Sequence, residues 1–269
     1  MKKIVADFRT FPKWIRTILW RFMHRVMLSR YGFSDLKFLN YGYVSLDPDY
    51  EYIELDERDE LERYGLQLYN HTTTVVNLKG KDVLEVGSGR GGGASFITRY
   101  YEPSSYVGLD LSKKVIRFCN KNYKLPGLSF TWGDAENLPF DDSSFDAVVN
   151  IESSGSYKNM EKFLSEVYRV LRPSGHLLFA DARSIEEKEL LRVQFEEAGL
   201  KILDEENIVK NILKATDLDY ERRNNLINSR APQYMKKLSK EFSSLKGTKR
   251  YDKFNDGSKI YLRYLLKKS

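Results

Sequence analysis

The chain has 269 residues, of which 41% are hydrophobic, and it contains one cysteine and three histidines. This length and composition are typical of one globular domain with appendages, or of two domains at most, and they argue against intrinsic disorder. The single cysteine, Cys119, excludes a disulfide framework and a multi-cysteine metal site, and we expect no metal ligands. No apolar run reaches the length of a membrane-spanning helix, and we expect a cytoplasmic protein.

The net charge of +6 is unevenly distributed along the chain. Residues 1–30 carry eight Lys or Arg and one acid, whereas residues 233–269 carry eleven Lys or Arg and three acids. The residues between them are therefore acidic overall. Two basic ends around an acidic centre do not predict a nucleic-acid groove. They are compatible with contact with anionic lipid or an acidic carrier, and also with an ordinary solvated surface.

The N-terminal third combines a predicted helix with an aromatic segment. Apolar residues recur at helical spacing over residues 12–28, which open with Pro12. This stripe fits a lid over a pocket, a membrane surface or the face of a homodimer, and these alternatives stay open. Residues 31–66 are rich in aromatic and acidic side chains, and residues 57–77 are predicted to be helical. We predict that residues 1–75 form a helical and aromatic lid segment.

From residue 81 the pattern alternates between short apolar runs and amphipathic stretches. Such alternation predicts parallel strands joined by crossover helices, and hence a doubly wound, Rossmann-like α/β core over residues 76–204. The predicted strands are 82–86, 106–110, 128–132, 145–151, 176–181 and 201–203. The predicted helices are 91–101, 112–122, 158–171 and 185–198.

The alternation stops after residue 204. Residues 205–246 have helical patterns, and a last strand is predicted at 259–266 after the Asp256-Gly257 turn. We therefore predict a helical lid inserted at 205–250, with 251–269 supplying the final strand of a seven-stranded, mostly parallel sheet. Tyr and Phe residues concentrate in 31–69 and 220–264, where they could line an apolar pocket.

The first predicted strand is followed by a glycine-rich turn that opens a helix. Glycines at this position let backbone amides approach a ligand closely. A dinucleotide site would place a pyrophosphate here, but Glu85 precedes Gly87 and Gly89 and would repel it. An acid at this point suits a ligand with a cationic amino group and no phosphate. S-adenosylmethionine has this character.

Two further acids follow the next two strands. Asp110 ends the second strand at nearly the spacing from Gly87 that is expected for an acid on ribose hydroxyls. Asp134 follows the third strand, where a carboxylate can accept from the adenine amine. Because parallel strands end at one edge of the sheet, these acids should line one crevice. The predicted cofactor-binding residues are Glu85, Gly87, Ser88, Gly89, Gly91, Asp110, Leu111, Asp134, Ala135, Glu136 and Asn150.

Residues 80–204 resemble class I methyltransferases. Four blocks match that family in order, and they are residues 85–89, 108–112, 133–140 and 170–175. The resemblance implies S-adenosyl-L-methionine as cofactor, S-adenosyl-L-homocysteine as product and a Rossmann-like fold.

A narrower resemblance extends over most of the chain. Residues 38–43, 91–95, 124–128 and 141–142 are similar to mycobacterial phthiotriolone and phenolphthiotriolone dimycocerosate methyltransferases, which O-methylate a long apolar lipid. The same branch includes tailoring enzymes for polyketide and peptide natural products. The resemblance implies O-methylation of a hydroxyl on a small, largely apolar molecule. C- or N-methylation of a small ring and cofactor binding without catalysis stay open as alternatives.

Methyl transfer to a hydroxyl also releases a proton, so a base within hydrogen-bond reach assists it. The related enzymes often carry a histidine after the fourth strand, where this chain has Gly155. His71, Glu152 and Asp181 are the candidate substitutes, in no fixed order. Each has a plainer alternative. His71 could be exposed or contact the cofactor, Glu152 could contact the cofactor or the backbone, and Asp181 could cap the next helix. An acidic acceptor would need no base.

Overall fold

The computed structural model describes residues 37–38 and 40–269. The helix predicted at 12–28 and the basic segment 1–30 lie outside these residues. After an extended aromatic stretch, a 3-10 helix over Glu57–Glu62 leads into α1 (Arg63–Thr73). The helical prediction for 57–77 therefore holds for residues 63–73, preceded by a 3-10 turn.

Seven strands form one sheet in the order β3-β2-β1-β4-β5-β7-β6. Only the pairs that involve β7 are antiparallel. This arrangement confirms the predicted α/β, doubly wound, mostly parallel sheet. The strands are β1 (Asp82–Val86), β2 (Ser105–Asp110), β3 (Leu128–Trp132), β4 (Phe145–Ile151), β5 (Leu171–Ser184), β6 (Leu200–Asn207) and β7 (Lys259–Lys268).

Helices cover both faces of the sheet. Successive residues of a strand point to opposite faces, so Val83 of β1 belongs to one apolar cluster and Leu84 to the other. Both side chains are fully buried, as expected for a parallel sheet between two helical layers. The crossover helices are α2 (Gly92–Tyr101), α3 (Lys113–Asn122), α4 (Met160–Val170) and α5 (Glu187–Glu197).

The strand order reverses between β1 and β4, which lie side by side at the centre of the sheet. In open α/β sheets, ligands bind in the crevice outside the carboxyl ends of the strands at such a reversal. The turn after β1, the end of β2 and the turn after β4 meet at this edge. These turns contain most of the residues that the sequence singles out.

A helical segment separates β6 from β7. It consists of α6 (Val209–Leu218), α7 (Tyr220–Arg230), α8 (Gln233–Phe242) and α9 (Lys249–Asn255). Strand β6 runs to Asn207 and α9 passes residue 250, so the helical segment begins and ends later than the predicted 205–250. No helix in the described part of the chain is long and apolar enough to cross a membrane.

The helical segment packs over the aromatic stretch that precedes α1. The amide nitrogen of Asn211 donates to the carbonyl of Val44 at 2.9 Å. The guanidinium of Arg223 donates to the carbonyl of Tyr41 at 2.9 Å. Tyr41 is itself buried against the rings of Phe254 and Tyr261. The two segments therefore meet above the carboxyl edge of the sheet.

Candidate active site

The turn after β1 is fixed to the neighbouring strand by its own backbone. Gly87, Gly89 and Gly91 have φ values of 82°, 51° and 77°, in the left-handed region that glycine adopts without strain. The amides of Gly87 and Ser88 donate to the carbonyl of Leu109 at 2.8 and 2.9 Å. The turn is therefore held in one position before any ligand contacts it.

One side of this turn faces open space. A β-carbon added to Gly89 would meet no heavy atom within 4 Å, whereas one added to Gly87 would lie 1.8 Å from Ser153 Oγ. The hydroxyl of Ser88 is buried and has no hydrogen-bond partner among the described residues. Packing thus requires Gly87, while the surroundings of Gly89 and Ser88 fit a bound polar ligand.

The Asp110 carboxylate lies beside the turn. Its Oδ1 accepts from the amide of Ser112 at 2.8 Å, and its Oδ2 accepts from the amide of Gly89 at 3.1 Å. Burial raises the pKa of Asp110, and these two amides oppose that shift. A carboxylate has about four acceptor positions, so two amides leave room for hydroxyl donors. The next residue, Leu111, is 44% exposed and offers an apolar surface at the same edge.

The three predicted residues after β3 differ in their surroundings. Ala135 is buried, while Asp134 is exposed and accepts from the amide of Glu136 at 3.0 Å. The carboxylate of Glu136 accepts from the amides of Lys158 and Asn159 at 2.7 and 3.2 Å. Glu136 is therefore engaged in holding the loop before α4.

Glu85 is buried beneath the glycine turn and is only 1% exposed. The hydroxyls of Tyr69 and Tyr106 donate to its two oxygens at 2.7 and 3.1 Å. Burial raises the pKa of Glu85 to about 7, although both tyrosines oppose the shift. The carboxyl joins α1 to β1 and β2, and neither tyrosine partner was predicted from the sequence.

Asn150, near the end of β4, is fully buried. Its amide nitrogen donates to the carbonyl of Val86 at 2.8 Å and to the hydroxyl of Tyr157 at 2.9 Å. Tyr157 also shares a 2.7 Å hydrogen bond with Ser153. The amide oxygen of Asn150 has no hydrogen-bond partner within the described chain. Asn150 thus links β4 to the turn after β1.

Glu152 follows β4 directly and has a left-handed backbone with φ of 51°. Its Oε1 accepts from the backbone amide of Tyr41 and from the hydroxyl of Tyr261, each at 2.9 Å. Desolvation raises the pKa of Glu152 to about 7, and the negative charge of Asp181 adds to the shift. This carboxyl can therefore gain or lose a proton near neutral pH.

Asp181 has a different environment at the end of β5. Its carboxylate accepts from the hydroxyl of Ser154 at 2.6 Å and the amide of Gly155 at 3.0 Å, and it pairs with Arg183 at 3.0 Å. Burial alone would raise the pKa of Asp181, but Arg183 and the two donors outweigh it and hold the pKa below its usual value. Asp181 is a stabilised anion, which makes it a weak proton acceptor.

His71 lies in a third hydrogen-bond network. Its Nε2 is 2.8 Å from the carboxylate of Glu206, and its ring stacks on Tyr43 with 4.0 Å between centroids. Arg263 binds the same Glu206 oxygen at 2.9 Å. The structure therefore holds the three candidate bases in separate networks, and only Glu152 combines a raised pKa with a position at the turn after β4.

Residues 84–179 match a family model described as a methyltransferase domain. The phthiotriol/phenolphthiotriol dimycocerosates methyltransferase of Mycobacterium leprae is 39% identical over 91% of this chain and 90% of its own. The fatty-acid O-methyltransferase of Mycolicibacterium smegmatis is 36% identical over 91% of this chain and 88% of its own. The chain therefore belongs to the class I S-adenosylmethionine-dependent methyltransferases.

Solved structures agree with the fold. The geranyl diphosphate C-methyltransferase of Streptomyces coelicolor A3(2), bound to S-adenosyl-L-homocysteine, matches with a TM-score of 0.62 and 16% identity. The match covers 86% of this chain and 90% of that one. At this identity the likeness concerns the fold alone.

Proposed function

We propose that this methyltransferase transfers the methyl group of S-adenosyl-L-methionine to a hydroxyl of a small, largely apolar molecule such as a lipid, polyketide or peptide natural product. The names of two relatives support this acceptor class, since one is a dimycocerosates methyltransferase and the other a fatty-acid O-methyltransferase. The observation that carries the proposal is Glu152, a carboxyl with a pKa of about 7 at the carboxyl edge of the sheet.

Glu152 is proposed as the base. A general base works best when its pKa lies near the operating pH, because it is then deprotonated and still basic. Its Oε1 already accepts from Tyr41 and Tyr261, which orient the carboxylate. The second carboxylate oxygen of Glu152 would then take the hydroxyl proton while the hydroxyl oxygen of the substrate attacks the methyl carbon.

The cofactor supplies an electrophilic methyl group, and the chain supplies binding and alignment. Asp110 is proposed to accept from the ribose hydroxyls, with Leu111 against the adenine and Asp134 at its amine. The Ser88 hydroxyl and the open side of Gly89 are proposed to contact the methionine end. Glu85 and Asn150 are proposed to hold this surface in place through their hydrogen bonds to neighbouring strands.

The segments above the sheet edge are proposed to enclose the acceptor. Tyr41 packs against Phe254 and Tyr261, so aromatic rings surround the edge at which Glu152 lies. Excluding water there strengthens the hydrogen bonds to the reacting groups. We assign the lid role to the described residues 40–75 and to the helical segment between β6 and β7.

Acceptors with a single kind of nucleophile test this proposal. We would offer the purified enzyme a long-chain alcohol, a phenol, an amine and an electron-rich ring, and identify each product by mass spectrometry. Methyl ethers as the main products are expected. A dominant N- or C-methyl product would favour the ring alternative. Absence of all products from a protein that still binds S-adenosyl-L-homocysteine would favour cofactor binding without catalysis.

A further inference from the structure

Lys259 is the first residue of β7 and lies at the carboxyl edge of the sheet, opposite Ser184 of β5. It is two residues from Tyr261, so both side chains point to the same face of the sheet. The hydroxyl of Tyr261 donates to Glu152. Lys259 therefore lies just beyond the proposed base, on the face that the aromatic segment and α9 cover.

The ammonium of Lys259 is half-buried without a charged partner. Its contact is with the ring of Phe254, 5.2 Å from the ring centroid. Within the described chain, no hydrogen bond or ion pair binds this ammonium. A partly desolvated cation normally has such a partner, because burial of an isolated charge is costly. Desolvation lowers the pKa of Lys259 to about 8, and the charge of Arg250 adds to the shift.

The charges near Lys259 have partners of their own. Arg250, Asp181, Glu152 and Arg183 all act on its ammonium from nearby. Asp181 is paired with Arg183, and the Oε1 of Glu152 accepts from Tyr41 and Tyr261. No described carboxylate is therefore bonded to Lys259, and an anionic ligand at this corner would supply that partner.

The cofactor is poorly placed to supply that anion. Its proposed binding surface is the turn after β1, and β7 is three strands away in the sheet. At the usual spacing of neighbouring strands this separation is roughly 14 Å, which exceeds the length of a lysine side chain. The acceptor is proposed to lie on the β7 side of that surface, beneath the aromatic segment.

We infer that Lys259 binds an anionic group, a carboxylate or a phosphate, carried by the apolar acceptor. The inference rests on the proposed function only for the class of acceptor. It specifies an amphiphile whose anionic group lies against Lys259 and whose apolar chain lies among the aromatic rings. The methyl group would go to a hydroxyl oxygen near Glu152, the electron pair of the broken carbon–sulfur bond would stay on sulfur, and Glu152 would take the hydroxyl proton.

Three probes of equal chain length test the inference. They are an ω-hydroxy fatty acid, the matching ω-hydroxyalkyl phosphate and the neutral diol. Their dissociation constants are measured by calorimetry on the full-length protein saturated with S-adenosyl-L-homocysteine. We expect at least one anion to bind roughly tenfold more tightly than the diol, since one charge-assisted hydrogen bond distinguishes them. The tighter of the two anions identifies carboxylate or phosphate as the preferred group.

Variants assign the preference to this lysine. Lys259→Met should bring the ratio of the constants for anion and diol close to one, and Lys259→Arg should retain it. Lys253→Met, at an exposed lysine of α9, is the matched control and should keep the wild-type ratio. Circular dichroism and thermal unfolding check that each variant folds, and Lys259→Gln replaces Lys259→Met if that variant does not.

Several outcomes would overturn the inference. They are equal affinity of the wild-type protein for anions and diol, an unchanged ratio in Lys259→Met, or no anion binding at roughly 1 mM. A tenfold loss of affinity for S-adenosyl-L-homocysteine in Lys259→Met would instead assign the ammonium to the cofactor's own carboxylate. Because these measurements need no turnover, their result does not depend on whether the enzyme methylates a hydroxyl. If the enzyme methylates the carboxylate itself, the proposed hydroxyl chemistry fails while the role of Lys259 stands.

Discussion

The Asp110 carboxylate is held by the amides of Gly89 and Ser112, at the edge where the cofactor is proposed to bind. Asp110→Ala should weaken binding of S-adenosyl-L-homocysteine at least tenfold, because charge-assisted hydrogen bonds contribute about 1.5–3 kcal/mol each. Calorimetry measures the affinity directly. Asp134→Ala, at the exposed acid after β3, should have the smaller effect. Unchanged affinity in Asp110→Ala would remove Asp110 from the cofactor site.

Glu152 offers a test of proton removal. A base is active when deprotonated, so turnover of the wild-type enzyme should rise with pH and level off above about 7, the pKa of Glu152. Glu152→Gln should lose about a hundredfold in turnover together with this rise, because general bases typically contribute about 10²–10⁴-fold. Rates from pH 5.5 to 9, with the affinity for S-adenosyl-L-homocysteine checked in parallel, provide the measurement.

The exposed Glu161 of α4 supplies the control for this variant, and Glu161→Gln should behave as wild type. Near-normal turnover of Glu152→Gln across the range would show that alignment alone suffices, which is possible for an acidic acceptor. If Asp181→Asn or His71→Gln loses turnover instead, that residue is the base.

Among the elements, the start of α7 is organised around one buried acid. Asp219 is 3% exposed and accepts from the guanidinium groups of Arg222 and Arg223 at 2.6 and 2.7 Å. Arg223 in turn donates to the carbonyl of Tyr41, whose amide contacts Glu152. This chain of contacts connects the helical segment to the proposed base.

Asp219→Ala should therefore destabilise the protein by about 3 kcal/mol, because Arg223 loses its buried counter-charge and Arg222 keeps only Glu62, 3.6 Å away. Urea denaturation measures the change in free energy of unfolding. Glu221→Ala, at an exposed position of α7, should stay within about 0.5 kcal/mol of wild type. Equal stability of both variants would mean that the arginines find other partners.

At the scale of the whole molecule, the pH dependence of stability reflects Glu85. The folded state binds the Glu85 proton more tightly than the unfolded state, since burial raises the pKa from 4.5 to about 7. The contribution of Glu85 to the free energy of unfolding therefore falls as the pH rises from about 4.5 to 7. Above that range the loss of stability is complete and does not change further.

Glu85→Gln removes this charge and keeps the shape of the side chain. The free energy of unfolding of the variant minus that of wild type should be about 1–3 kcal/mol larger at pH 8 than at pH 5. Urea denaturation at the two pH values gives this difference, and Glu51→Gln, at an exposed acid, should show none. A parallel pH dependence of Glu85→Gln and wild type would mean that Glu85 stays charged in the folded protein.

Local sequence patterns predict most of the sheet. The predicted bounds of β1, β3 and β4 agree with the structure, because short apolar runs between turn residues are local signals. Strand β6 was predicted too short, since its second half is acidic. Arg263 of β7 pairs with Asp204 and Glu206 there, at 2.5 and 2.9 Å, so a partner distant in sequence stabilises that half as strand.

The glycine turn and the acids that follow β2 and β3 could also be found from the sequence, because strand ends in a parallel sheet meet at one edge. Only the tertiary structure distinguished the three candidate bases. Tyr41 and Tyr261 reach Glu152 from 111 and 109 residues away, and Arg183 binds Asp181 beneath Ser154. A pKa depends on desolvation and on neighbouring charges, and both are set by packing between distant segments rather than by local sequence.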